Sequence, residues 1–462
     1  MRNNFCRVPV PLSRSRADQR IAVLADSDTR WKWGALTARR LDASRVTGYL
    51  LRGRATPTVR QLGEAGVGAD AAPVEVTCAE FLAELGRERY DVVVLALVGG
   101  AVQAVLHGAR ALWPQPSRRP VFVTGYVGVV YEKLADGLLL RHGADVVLAN
   151  SRHDAERFRA VYEGAGADPR AVTETALPFL DGARYGGAEG RTRRVVFAVQ
   201  PSVPESRADR LYLLGRAAGH ARLHPDREVL VKLRSRPGEH TTHLEEHPYQ
   251  RLADHLPGGL PANCRLVYGH MGEVLDDTDL LVTVSSTAAL ESLHRGIPTA
   301  VLTDLGIRES LGNQHFLGSG CLTSWTRLDQ GHLPRPSPAW QSAHGVRPAA
   351  GPYAAGPCAA DRYAADPYAA ARERVARLLA QEELAPVAPY YTLDTAPGYL
   401  PGILARQHLA PDGTPLPGAL RGGGGESAAR RWARERLREA ARGAYRHGVQ
   451  RVAPVIRRLG EL

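Results

Sequence analysis

The segment VTVSSTAALESLHRGIP, residues 282–298, concentrates the most chemistry in the chain. An apolar run stops at Ser285-Ser286-Thr287, and a helix-period run starts there at once. Ser and Thr cap helix N-termini, where free backbone N–H groups and the positive end of the dipole attract anions. The hydroxyls at 285–287 would add donors to phosphate oxygens. Glu291 follows one turn later, where a carboxylate can accept hydrogen bonds from ribose hydroxyls. Gly296 and Pro298 then end the helix and open the next apolar run. A capped helix without a ligand carries the same residue types, so the segment alone leaves both readings open.

Other apolar runs also end in reactive residue types. VKLRSRPGE (231–239) brings Lys232, Arg234 and Arg236, cations suited to a phosphate leaving group or to a solvated rim. Gln200-Pro201 ends VVFAVQ and either lines the same pocket or makes a turn. Asp26-Ser27-Asp28 ends IAVLA. A carboxylate there, Asp26 or Asp28, can act as general base toward an acceptor hydroxyl; the alternative is an Asx turn that starts the next helix. Gly99, Gly100 and Tyr126 are candidates for contact with a second substrate, the glycines because a bare backbone admits close approach. His243-x-x-Glu246-His247 has the spacing of a zinc-protease helix. Pro248 would break the helix that pattern needs, so no metal is expected there.

These residues need elements to position them. Apolar runs at 21–25, 46–51, 74–77, 91–97, 120–125 and 144–151 alternate with helix-period segments at 31–41, 101–112 and 131–142. Continuous β-branched runs of this kind are parallel strands buried on both faces. A Gly- and Arg-rich stretch at 181–194 interrupts the pattern. It restarts with runs at 195–200, 228–233, 264–269, 279–286 and 298–304 and helices at 207–223 and 287–295. The expectation is an α/β protein of two Rossmann-like, doubly wound domains, 20–185 and 190–330, behind a flexible N-terminus at 1–19. The Pro/Ala/Tyr-biased stretch 331–370 reads as a linker or insertion, and 371–462 as C-terminal helices, at 370–382 and 428–452. Ligands of such sheets bind beyond the strand carboxyl ends, so a cleft between two facing domains is where the candidates should meet.

Composition bounds the function. The 462 residues carry a net charge of +11, with 23% charged and 44% hydrophobic residues, as a globular chain does. Of 59 basic residues only Lys32, Lys133 and Lys232 are lysine. Segment 421–462 holds eleven Arg and four Glu, so most of the +11 is local. Arg430, Arg434, Arg438, Arg442 and Arg446 form a stripe beside Trp432, Leu437, Ala441 and Tyr445. That pattern predicts a basic amphipathic helix, either lying on an anionic membrane through 428–458 or packed on the first domain. No apolar stretch reaches the roughly 20 residues of a spanning helix, the N-terminus lacks a secretory apolar core, and five scattered cysteines suit a reducing compartment. A cytoplasmic protein is expected, with the inner membrane face as a peripheral contact. Neither a P-loop nor a post-strand GxGxxG occurs, and no nucleic-acid reader motif accompanies the charge.

Strand–Ser-Ser-Thr–helix–Glu–Gly-x-Pro in the second of two such domains resembles the donor half of GT-B glycosyltransferases. The likeness covers about residues 20–325 and extends to bacterial sialyl- and polysialyltransferases and capsule polymerases; it is nearest to an uncharacterised glycosyltransferase family. It implies a nucleotide-sugar donor held by Gln200, Lys232, Arg234, Arg236, Ser285, Ser286, Thr287 and Glu291, with a glycan, lipid-linked or metabolite acceptor on the first domain. It also implies no cofactor and no metal. The Asp-x-Asp of metal-dependent glycosyltransferases falls well inside the domain, whereas here it follows the first strand. The sialyltransferase-like members carry His-Pro where this chain has Arg236-Pro237, which argues against a CMP-linked donor. A nucleotide-sugar 2-epimerase and a non-catalytic two-lobed binding protein share the architecture.

Overall fold

The first domain carries seven strands, β1 (Arg20–Ala25), β2 (Arg45–Leu51), β3 (Val74–Val76), β4 (Val92–Ala96), β5 (Val121–Gly125), β6 (Val146–Ala149) and β7 (Val172–Glu174). Between them run α1 (Asp28–Arg40), α2 (Val59–Glu64), α3 (Cys78–Arg87), α4 (Gly99–Leu112), α5 (Leu134–Leu139) and α6 (Arg152–Gly164). The second domain has β8 (Arg193–Ala198), β9 (Arg227–Lys232), β10 (Cys264–Val267), β11 (Leu280–Thr283), β12 (Thr299–Leu302) and β13 (Leu322–Thr323). Its helices are α7 (Arg207–Leu223), α8 (Tyr249–Ala253), α9 (Met271–Asp276), α10 (Ala288–Arg295) and α11 (Trp325–Asp329). The chain closes with α12 (Pro338–Ala343), α13 (Ala369–Leu379) and α14 (Leu400–Arg406). The computed structural model describes residues 19–53, 55–67, 72–128, 133–187, 190–236, 239, 245–346 and 366–420. The expected N-terminal arm up to residue 18, His243 and the tail helix at 428–452 lie outside them.

The sheet orders are 3-2-1-4-5-6-7 and 10-9-8-11-12-13, with every ladder pair parallel. Each reverses direction beside its first strand, which is the doubly wound arrangement. Strands β4, β5 and β6 are buried along their whole length, the state their β-branched runs require. Hydroxyl residues start several helices. Ser27 accepts from Arg30 N–H, and Ser206 from Asp209 N–H. Thr58 and Thr77 form capping boxes with Gln61 and Glu80. One core cluster holds residues of both sheets, among them Ile21 and Val94 with Val196 and Leu281, so the two domains pack on each other.

Part of the expected linker is ordered structure. Helix α12 lies inside 331–370, and Trp340 and Val346 are buried in the shared core. Two apolar anchors suffice there, and the Pro/Ala bias hid them. After residue 365 the chain returns to the first domain: α13 packs on β5, β6 and β7, and α14 on α4. Helix α5 is shorter than the expected 131–142, because only Leu134–Leu139 is helical among its described residues. Among the described residues, no helix is long and apolar enough to cross a membrane.

The crossing segment meets both domains at a histidine stack. His344 lies 4.0 Å from the Trp340 ring centre and 4.5 Å from that of His153, with His315 at 5.2 Å. Burial, and then the neighbouring histidines and Arg157, pushes His315 down to about 3. Burial likewise pushes His344 down to about 4. The unfolded chain takes up these protons near pH 6.5, so stability falls as pH drops from about 6.5 toward 4. His315 alone gives a slope approaching ~1.4 kcal/mol per pH unit in that window. Urea unfolding at pH 7 and pH 5 measures it, and His315→Gln is expected to flatten the difference; an unchanged difference would place the titration elsewhere.

Candidate functional site

The carboxyl ends of both sheets face one seam, and three contacts show it. Arg234, past β9, donates to Asp28 Oδ1 at 2.6 Å and to the Thr29 hydroxyl. Lys32 Nζ of α1 lies 3.8 Å from Glu291 Oε2 of α10. Gly128, in the loop after β5, sits so close to Thr287 that a Cβ there would stand 3.4 Å from its hydroxyl. Arg60 of α2 also pairs with Glu239 across the seam.

On the second domain, the break between β11 and α10 separates the three hydroxyls. Ser285 turns inward: its Oγ donates to Leu311 O at 2.6 Å, and its N–H donates to Gln200 Oε1 at 3.0 Å. Gln200 thus ties the end of β8 to the end of β11. Arg210, itself buried, donates to the carbonyls of Gln200 and Pro201 at 3.1 and 3.0 Å and fixes that loop. Ser286 is half-buried at the helix start, where its Oγ accepts from Ala288 N–H at 3.3 Å. Thr287 is the N-cap residue and makes no side-chain cap bond. Of the three hydroxyls, Ser286 and Thr287 are the pair left at the cleft. The helix ends at Gly296, whose φ of 76° is the left-handed conformation that glycine adopts without strain.

The cations divide by role. Lys232 is buried, and its Nζ donates to Leu233 O at 2.7 Å. Desolvation pushes its ammonium down to about 8. Arg234 bridges to the first domain. Arg236 is exposed and stacks 5.3 Å above the Tyr268 ring. Half-buried His270 lies between Gly66 of the first domain and Gly272, close enough that a Cβ at either would meet its ring at 3.1 or 2.8 Å. Burial lowers its pKa, so the imidazole is neutral.

On the first domain, the two aspartates differ. Asp26 Oδ1 accepts from Arg30 NH1 and Oδ2 from Val98 N–H, both at 2.8 Å. Oδ2 joins the end of β1 to the residue after β4 and Oδ1 holds the start of α1, so both oxygens of Asp26 are engaged in structure. Asp28 lies in the seam against Arg234. Gly99 is closed off by packing, since a Cβ there would meet Leu140, just past α5, at 2.9 Å. At Gly100 a Cβ would make only an ordinary contact, with Ile403 at 3.8 Å. Tyr126 packs under Arg141, whose guanidinium is 4.0 Å from the ring centre. That buried arginine donates to Gly125, Gly137 and Leu97 carbonyls and ties the ends of β4 and β5 to α5.

Lys32, His270 and Gly128 were not singled out in the sequence. Only Lys32 carried a usable signal, as one of three lysines in an arginine-rich chain.

Among the described residues, His220, His224 and Asp329 are the group with metal-like spacing, their ligand atoms lying within 4.8 Å. The His220 and Asp329 atoms already have partners, whereas His224 Nε2 has none. Arg227 approaches His220 Nε2 at 3.3 Å, and arginine can only donate. The ring proton therefore sits on Nδ1, which faces Asp329 Oδ1 at 2.7 Å, while Arg216 holds the other carboxylate oxygen at 2.8 Å. Two guanidinium groups oppose a dication, and the cluster joins α7 to α11 beside the start of β9, away from the cleft.

Two doubly wound domains whose strand ends face a common cleft define the GT-B class of α/β protein. The chain belongs to the family described as "Putative glycosyltransferase (DUF6716)", which it matches over residues 21–357. Solved structures similar to it include a UDP-GlcNAc 2-epimerase from Methanocaldococcus jannaschii in complex with UDP-GlcNAc and UDP. That match has 10% identity, 71% of this chain and 98% of that chain covered, and a TM-score of 0.46. The glycosyltransferase SnogD from Streptomyces nogalater is 17% identical over 67% of this chain and 88% of its own, with a TM-score of 0.36. No curated protein matches the chain. The fold assignment rests on the two sheet orders themselves.

Proposed function

We propose that the protein is a metal-independent glycosyltransferase that moves a sugar from a nucleotide-activated donor to an acceptor hydroxyl. The observation that carries this reading is that α10 and the end of β9 face one seam, where Thr287 lies against Gly128, Glu291 against Lys32 and Arg234 against Asp28. A diphosphate leaving group gains negative charge as the glycosidic bond breaks. A helix N-terminus and fixed cations stabilise that charge in a water-poor cleft. Ser286 and Thr287 contact phosphate, Arg236 guards the rim, Gln200 and Ser285 hold the loop, and Glu291 accepts from the ribose. The acceptor lies on the first domain beside Asp28 and the loop after Tyr126, and Asp28 takes its hydroxyl proton once Arg234 turns to the donor. A cell-surface glycan or a lipid-linked sugar suits an acceptor site open to the cleft, and the protein acts in the cytoplasm.

Calorimetry with Ser286→Ala/Arg236→Ala tests the donor site. Nucleotide affinity is expected to fall about 30-fold, the loss of one charged and one neutral hydrogen bond; unchanged affinity would sink it. A thermal-shift panel of CMP-, UDP-, GDP- and CDP-linked sugars identifies the donor. Turnover of that donor without any acceptor would point instead to a 2-epimerase.

A further inference from the structure

We propose that Lys32, which belongs to the first domain, is a positioning residue of the second domain's donor site: its ammonium keeps the Glu291 carboxylate in the form that grips the donor ribose. The inference rests on the donor-site reading above. Arginine is the default cation of this chain, so each of its three lysines is a departure from composition. One of them, Lys32, pairs with Glu291, and a second, Lys232, adds to the positive field around it. Lys32 lies 5.0 Å above the Phe179 ring and 3.8 Å from Glu291 Oε2, with its side chain 15% exposed.

Glu291 is buried on α10, and its surroundings decide its charge. Desolvation raises its pKa above the usual carboxylate value, and Lys32 is the largest of the cation effects opposing that rise, before Arg295 and Lys232. The other two are committed. Arg295 donates to Asp276 Oδ1 at 2.6 Å and to the carbonyls of Gly272 and Asp181 at 3.0 Å. Lys232 donates to Leu233 O. His270, also near Lys32 and Lys232, is neutral. Lys32 is therefore the cation free to act on Glu291, and it comes from the opposite domain. An ionised carboxylate accepts from two ribose hydroxyls, whereas a protonated one loses an acceptor site. Donor grip on the ribose is thereby tied to closure of the two domains.

The test uses the full chain and calorimetry with CMP, UDP, GDP and CDP, each beside its 2′-deoxy counterpart. The wild type is expected to prefer the ribonucleotide by about tenfold or more, the value of a hydrogen bond to a charged acceptor. Lys32→Met is expected to lose that preference at pH 7. Glu291→Gln should lose it as well, and Lys32→Arg, which retains the charge, should keep most of it. A Lys32→Met protein that discriminates like the wild type overturns the proposal, as does a Lys32→Arg protein that has lost discrimination. A wild type that binds a nucleotide without ribose preference also overturns it and leaves the donor site standing. If the wild type binds none of the probes, both readings fall together.

Discussion

Ser286→Asp is expected to abolish binding of nucleoside diphosphates, by two orders of magnitude or more, while leaving the fold as stable as before. Ser286 precedes the N-cap Thr287, and an aspartate there can take over the Ala288 N–H that Ser286 now accepts at 3.3 Å. A negative charge at the N-terminal end of α10 is also favoured by the helix dipole, by roughly 0.3–1 kcal/mol. The same charge about 4 Å from a phosphate oxygen costs about 4 kcal/mol at an effective dielectric near 20. That is several hundredfold in affinity. Stability and binding thus move independently, and a misfolded variant cannot imitate the result. Thermal melting and calorimetry on one preparation give both numbers. Wild-type affinity in a stably folded Ser286→Asp protein would mean that phosphate binds somewhere other than this helix.

The legible parts of the molecule are those set by local physics. Runs such as VVVLA and VFVTG admit little besides a buried parallel strand, and β4 and β5 form there. Helix α7 spans the same residues, 207–223, as its periodicity implied, because Ser206 caps it and His224-Pro225 stops it. The return of 366–420 to the first domain was not legible, since it depends on groups that meet only after folding, such as the Tyr391 carbonyl with the His107 ring. The site divides in the same way. Residue type pointed to the cap at 285–287, but type does not reveal direction. The structure turns Ser285 toward Leu311 and leaves Ser286 and Thr287 at the cleft. Asp26 and Asp28 look alike in the chain and differ only in their partners, Val98 N–H for one and an arginine 206 positions away for the other. Gly99 read as open backbone because Leu140 and Arg141, which fill the space, lie some forty residues on.

The second large effect concerns that long-range part. Asp145→Ala is expected to destabilise the first domain by about 3–5 kcal/mol, the cost of leaving a buried charge without its partner. Against the roughly 5–15 kcal/mol that holds a domain together, such a loss brings it near unfolding at 37 °C. Asp145 accepts from Arg119 NH1 and NH2 at 2.8 Å each and from Phe122 N–H at 2.8 Å. The Arg119 side chain is 3% exposed, so water cannot replace the carboxylate. Arg119 also donates to Ala385 O at 2.9 Å, and Arg374 reaches Asp145 O at 3.2 Å, so the returning segment is latched to the same pair. Two readouts follow from this geometry. The urea midpoint should fall steeply, and limited proteolysis should cut within 366–420 before it cuts elsewhere in the domain. Asp168→Ala, which removes an equally short but exposed pair with Arg170, should change neither. The contrast isolates burial as the cause. Similar losses in both variants would show that ion-pair distance alone governs, and would remove the argument that 366–420 is held through Asp145.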